Sequence, residues 1–262
     1  MKNVGAVLIA RSLKRLRKAH EKRSKKMNLD LNYYFNHYED NEIFKELTKG
    51  IQNIWELHDT ANAYLEKNIV EKGVKENKGT LLGEANFIGN YFIDEGTKIY
   101  AGATIEGPVY IGKNCKIMPG AYVRPGTITG DNCVIGFNSE VKNSIIQNGA
   151  KVASLAFVGD SILGKSARIG SGVITANRRF DQKNIKIKKG IEKIDTGNDF
   201  FGVIIGDYAR IGANSATLPG TFIGPYTWIY PLTSVRGFIP AEKRVYQKVE
   251  LTYEDNAKTE LK

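Results

Sequence analysis

A period of six residues governs most of this chain. Ile93, Ile99, Ile105, Ile111, Ile117 and Val123 are followed in the same phase by Thr129, Ile135 and Val141. Four positions after each aliphatic stands a small or slim residue: Thr97, Ala103, Val109, Cys115, Ala121, Thr127, Cys133 and Ser139. The phase resumes at Phe157, Leu163 and Ile169, and again at Ile205, Ile211, Thr217, Ile223, Ile229 and Val235. A short fixed period implies a solenoid, because each repeat can bury its apolar side chain only against its neighbours. Six residues make one short strand and a turn, and three such units close a triangular coil. The aliphatic points into the prism and the small residue occupies the crowded corner, where Gly supplies backbone freedom. Coils then stack at the strand spacing of about 4.8 Å. The expected fold is all-β, a left-handed parallel β-helix, one of the exceptions to right-handed crossovers. The clear hexads predict about six coils.

The two cysteines, Cys115 and Cys133, fall at the same small corner position one coil apart. Stacked side chains pointing the same way make poor disulfide geometry, so both read as buried structural thiols. The period breaks in two places. Between Val141 and Phe157 the phase slips, within 147–156 by this reading. Residues 177–202 are charged and lack the pattern, so they read as a long loop leaving the coil. Long structured loops are disproportionately functional. The cations of this one, Lys183 among them, suit a phosphate-bearing ligand, although it could instead clasp a neighbouring subunit or present a solvated face.

Upstream, Ile43, Phe44, Leu47, Ile51, Ile54, Trp55, His58, Ala61 and Leu65 recur at three- and four-residue steps. That spacing predicts an amphipathic helix over 39–68, N-capped by Asp40, broken in two if Gly50 matters, and ending before Gly73. His58 reads there as a packing or capping residue. The formal charge of +10 is concentrated further upstream still. Residues 1–26 hold ten Lys/Arg and one acid, leaving a body of 28 basic and 27 acidic side chains. The leader fits a disordered tail or upstream start, a targeting peptide, or a binding arm. It lacks the interleaved aromatics of a single-strand binder, so nucleic acid is not an expected partner. No apolar run approaches a membrane span. The expected organisation is a leader (1–26), a helical segment (27–78), the β-helix (79–241) and a tail (242–262). The expected location is cytoplasmic, with organelle import through residues 1–26 as the alternative.

VRPG (Val123–Gly126), SEVKNS (Ser139–Ser144), VGDSILG (Val158–Gly164), IGSGVITAN (Ile169–Asn177) and FGVIIGD (Phe201–Asp207) occur in this order, with PLTSVRGFIPA (Pro231–Ala241) closing. Together they resemble the C-terminal acetyltransferase domain of bifunctional UDP-N-acetylglucosamine pyrophosphorylase/glucosamine-1-phosphate acetyltransferases, and more closely its archaeal-type and single-domain relatives. The likeness covers roughly Ala85–Ala241, and nothing upstream resembles the nucleotidyltransferase domain. It implies a homotrimer using acetyl-CoA as co-substrate, with a phosphorylated amino sugar or nucleotide sugar as acceptor. Arg124 and Lys142 would hold the sugar phosphate, a task suited to a forked or point cation. Arg124 could alternatively be a corner residue paired with Glu140. Asn177 would bind the sugar, while Ser171 and Ala213 fall where small residues let CoA approach.

The sequence departs from that family at the chemistry. The family's histidine and tyrosine, in segments of the form H-x-x-Y-x-G-D, are replaced by Ser154 and Phe157. The chain's three histidines, His20, His37 and His58, all precede the coil. Amine acetylation needs a proton acceptor, and a serine hydroxyl cannot serve at neutral pH. Either another group such as Asp160, Glu140 or Lys142 has taken the role, or the protein is a non-catalytic sugar-phosphate-binding or scaffold descendant. The same lack of histidines argues against the carbonic anhydrase chemistry known on this fold and against a metal site.

Overall fold

The computed structural model describes residues 28–189, 192–248 and 250–253. Residues 1–26, read above as a leader, and the end of the tail beyond 253 lie outside these. Two nine-stranded sheets and one eight-stranded sheet form the three walls of a prism. All their pairings are parallel, each strand bonding to the equivalent strand one coil away. The first wall runs from Lys75–Asn77 to Phe238–Ile239, the second from Thr80–Leu82 to Arg244–Val245, the third from Asn86–Ile88 to Ser234–Val235. The inward aliphatics from Ile93 to Val235 form one continuous buried core with the corner residues Ala103, Cys115, Ala121 and Cys133. The cysteines are free, and their thiols donate instead to the carbonyls of Gly130 and Gln147, at 3.1 and 3.2 Å.

The coil count corrects the sequence estimate: about nine coils are present, not six. The additional coils come from segments whose inward residues the strict six-residue count skipped. Val141 pairs with Val158 and Val158 with Thr175, so these two coils have seventeen residues and not eighteen. One residue is lost at the corner after Val141, and one at the corner after Val158, rather than within 147–156. The inward residue is therefore Val158, buried completely, and Phe157 faces outward, half-buried. Asn143 and Asp160 turn these shortened corners at φ 43° and 47°. Asn and Asp tolerate that left-handed conformation better than most residues.

The helical segment is not one long helix. It is a strap of short ones: α1 (Leu31–Tyr34), α2 (Glu42–Leu47) and α3 (Leu57–Leu65). Gly50, at φ 79°, lies in the break between α2 and α3. Asn41, not Asp40, caps α2 by accepting from the Ile43 and Phe44 amides. Asp40 instead meets Lys165 of the coil at 2.6 Å. The strap buries Phe44, Leu47, Trp55, Leu57 and Leu65 against Ile128, Ile145, Ile162, Ile204 and Phe222 on the outside of the first wall. That wall is thus apolar on both faces, which the sequence signals in VII and IL, where consecutive apolar residues replace alternation. No described helix is long and apolar enough to cross a membrane.

Because the strap completes a second core, Leu65→Ala should destabilise the folded protein by about 2–5 kcal/mol. Urea unfolding followed by circular dichroism measures this. A loss below about 0.5 kcal/mol would mean the strap is not integral to the fold.

Candidate functional site

One corner gathers most of the polar residues singled out in the sequence. Where the third wall turns into the first, Gly126, Asn143 and Asp160 occupy equivalent positions in successive coils, and Asn177 follows one coil above Asp160. The Asp160 carboxylate is 97% buried and accepts from three side chains. Asn143 Nδ2 donates at 2.7 Å to one oxygen; Asn177 Nδ2 at 2.5 Å and Lys142 Nζ at 3.4 Å donate to the other. Gly159 permits this arrangement, since a Cβ there would lie 2.6 Å from Asn177 Nδ2 and 2.7 Å from the Phe157 ring. Lys142 also stands 4.4 Å over the ring of Phe200, which Arg178 approaches at 4.8 Å. Both oxygens of Asp160 are engaged, so it acts here first as an anchor for Lys142 and Asn177.

Arg124 lies next to Lys142 on the outer surface of the third wall. Its guanidinium meets Glu140 at 2.6 Å and lies 5.7 Å from the Tyr122 ring. Its Nε is buried and has no hydrogen-bond partner. The pairing with Glu140 and a ligand-binding role are compatible, because the guanidinium has donors to spare.

A second corner, where the second wall turns into the third, holds Ser154, Ser171 and Ala213. Their carbonyls accept in turn from Gly172, Asn214 and Leu232, at 3.0, 2.9 and 3.0 Å, so the three residues form a column. Leu155 beside Ser154 takes φ 59° and is 60% exposed. Ser154 and Asp160 stand at opposite ends of one strand segment, up to about 20 Å apart along an extended chain. Phe157 lies between them, paired with Glu140 below and Ile174 above. Lys183 joins neither corner. It is exposed on the long loop, where it lines a groove of about 310 Å³ with Arg179, Lys186, Lys188 and Lys193.

That loop leaves the coil at Asn177 and returns at Phe201, enclosing an antiparallel hairpin of Lys186–Lys189 with Glu192–Asp195. Ile185 and Ile187 anchor it in the strap's core. A cleft of about 850 Å³ opens between the loop and the last coils, lined by Arg178, Phe180, Ile187, Leu218 and Arg236.

The sequence reading treated His58 as a packing residue. The structure does bury it, in α3 and edge-on to Phe201 at 6.0 Å, with Nε2 unpartnered. It also brings the ring close to the Asp160 corner. Burial holds its pKa below the ordinary histidine range, and the negative charge of Asp160 only partly opposes this. This proximity had no local sequence signal, because about a hundred residues separate the two positions.

Two outcomes follow. Gly159→Ala should overpack the Asp160 corner and destabilise the protein by about 1–3 kcal/mol in urea unfolding. His58 stays neutral in the folded state below the pH at which the unfolded chain protonates it. Its contribution therefore falls away as pH drops through about 6.5, the unfolded-state value. The loss continues until the lower folded-state pKa is reached. His58→Gln should flatten this decline between about pH 7 and 5.5; an unchanged slope would remove His58 as its source.

Residues 107–196 match the family described as GMPPB C-terminal domain, and residues 202–225 match the hexapeptide repeat of succinyl-transferase. A bifunctional sugar-1-phosphate nucleotidylyltransferase/acetyltransferase of Sulfurisphaera tokodaii is 41% identical over 37% of this chain and 24% of that protein. The bifunctional protein GlmU of Methanococcus aeolicus is 35% identical over 75% of this chain and 46% of its own length. The chain thus spans only a quarter to a half of these bifunctional relatives. A putative uncharacterized acetyltransferase of Escherichia coli, YaiX, is 37% identical over 68% of this chain and 76% of its own. The aligned period, the nine-coil prism and these likenesses agree: the chain belongs to the hexapeptide-repeat acetyltransferase family that includes the GlmU-like acetyltransferase regions.

Proposed function

We propose that this protein transfers an acyl group from acetyl-CoA to the amine of a phosphorylated amino sugar or nucleotide sugar, as a homotrimer. The observation that carries this reading is the pair of cations on the third wall, Arg124 with an unpartnered buried Nε and Lys142 held by Asp160. Fixed cations of this kind suit a sugar phosphate. Asn177 stands beside them to meet sugar hydroxyls, and Phe157 supplies a flat apolar neighbour, whereas Lys183, on the separate loop groove, has no place in this site. The small-residue column of Ser154, Ser171 and Ala213 leaves room for the pantetheine arm. The name of the Sulfurisphaera tokodaii relative joins a sugar-1-phosphate nucleotidylyltransferase to an acetyltransferase, which agrees with a phosphorylated sugar as acceptor.

The homotrimer is what the family resemblance implies, and the exposure of the three walls supports the third as its contact face. The strap covers the first, and exposed cations line the second. The third leaves Ile174 and Leu218 44% and 38% exposed beside Phe157, an apolar strip that a neighbouring copy can cover. The sugar site on that wall would then lie against the adjacent subunit.

In the transfer, the acceptor amine forms a C–N bond to the thioester carbonyl carbon, the C–S bond breaks, and CoA leaves as the thiolate. The amine must first lose a proton. Ser154 cannot accept it near neutrality, and Asp160 is occupied by three donors, so the fraction of amine already deprotonated in solution limits the rate. Turnover of acetyl-CoA with glucosamine-1-phosphate should therefore be slow at pH 7 and rise up to about tenfold per pH unit until the amine titrates. Ser154→His should raise kcat at pH 7 by about 10²–10⁴ and flatten that rise.

The missing base supports a second reading, a sugar-phosphate-binding descendant without turnover. Failure of acetyl-CoA to bind in calorimetry, with glucosamine-1-phosphate still binding, would favour it over the enzyme. Binding of neither would overturn both.

A further inference from the structure

The second wall presents an arrangement that neither acyl transfer nor trimer formation uses. The residue just before the inward aliphatic forms one outward column, and six of its members are cations: Lys98, Lys116, Lys151, Arg168, Arg210 and Arg244. All six are exposed, and none enters an ion pair among the described residues. The neighbouring outward column runs from Leu82 and Tyr100 through Gly136, Ala153, Gly170 and Gly212 to Tyr230 and Tyr246, and it contains no acid. Stacking at about 4.8 Å per coil makes a basic row about 34 Å long, interrupted at Val134 and Trp228. Like charges so close repel, and backbone pairing fixes the row, so its members cannot move apart.

At the C-terminal end of the same wall the surface turns aromatic and aliphatic. Trp228 stands in the cation column between Arg210 and Arg244, with the Arg244 guanidinium 5.3 Å from its ring. Tyr246 and Leu232 beside it are 63% and 70% exposed. Trp and Tyr next to Lys and Arg are the side chains that settle at a membrane–water boundary. The basic composition of residues 1–26 has the same sign as the row.

We propose that this wall docks on an anionic lipid bilayer, with the cation row on headgroup phosphates and Trp228, Leu232 and Tyr246 in the interfacial layer. A single-stranded nucleic acid would require rings interleaved along the row, and these lie only at its end. Exposed leucine would gain nothing from a polar polyanion. The cation row, Trp228 and Tyr246 lie on a wall the acyltransferase reading does not use, and only Leu232 borders the Ala213 corner.

Flotation of the full chain with phosphatidylcholine vesicles containing about one third phosphatidylserine tests it. Binding should appear on these vesicles, be absent from pure phosphatidylcholine, and weaken as salt shortens the screening length. Lys98→Ala, Lys116→Ala and Arg244→Ala combined should lower partitioning by about 100-fold. Trp228→Ala with Tyr246→Ala should also lower it, with circular dichroism confirming that each variant is folded. Should the triple variant fail to fold, Lys116→Ala alone should lower partitioning about fivefold. Equal binding to neutral vesicles would overturn the proposal. So would unchanged binding by the cation variants, which would assign attachment to residues 1–26. Binding of single-stranded DNA by the row with no binding to vesicles would replace the lipid with a nucleic acid.

Discussion

A single coil of this prism cannot satisfy its own backbone. Its strands are two or three residues long, and their amides find partners only in the coil above and the coil below. Backbone pairing therefore fixes every residue in a vertical column. Inward columns must be aliphatic, and corner columns must be small or able to turn. Outward columns are free to vary, and any site must be assembled from them. This explains why Ser154, Ser171 and Ala213 align although they are far apart in the chain. It also explains why Asn143, Asp160 and Asn177 meet.

The most informative departures from the period lie at the corners after Val141 and Val158. One residue is dropped there, and the corner keeps its left-handed backbone, taken by Asn143 and Asp160 where the full-length coil has Gly126. The same residue choice then supplies a carboxylate and amides at close quarters, which orient Lys142 and Asn177. A geometric need of the solenoid and a chemical need of the proposed site are met by the same side chains. The proposed departure from acetyltransferase chemistry lies at the other corner, where Ser154 stands at the position the resemblance assigns to histidine.

The strap gives the three walls different fates. Covering the first wall converts a regular prism into one with a single apolar outer face committed to the chain itself. The long loop is tied to that second core through Ile185, Ile187 and Phe201. The same packing carries His58 to the back of the Asp160 corner. Asp160 and the His58 imidazole beneath it thus belong to one buried unit, built from segments about a hundred residues apart in the chain.

Much of this molecule was legible in its residues. The inward aliphatics, the corner cysteines, the protruding loop over 177–202 and the family motifs all follow from a period that local sequence must obey, because each coil makes the same demand of the chain. The coil number and the orientation of Phe157 were not legible, since a one-residue deletion shifts the register without changing composition. The helical strap was misread as a continuous helix, because its apolar spacing reports burial and not continuity. The segregation of charge onto the second wall was hidden as well, since residues about eighteen apart become neighbours only once the coils stack. The sequence by itself determined the solenoid, through a repeat that only stacking can bury. Only the tertiary structure decided which walls are covered, which groups face one another and where the charge collects, because those relations exist between coils and not within them.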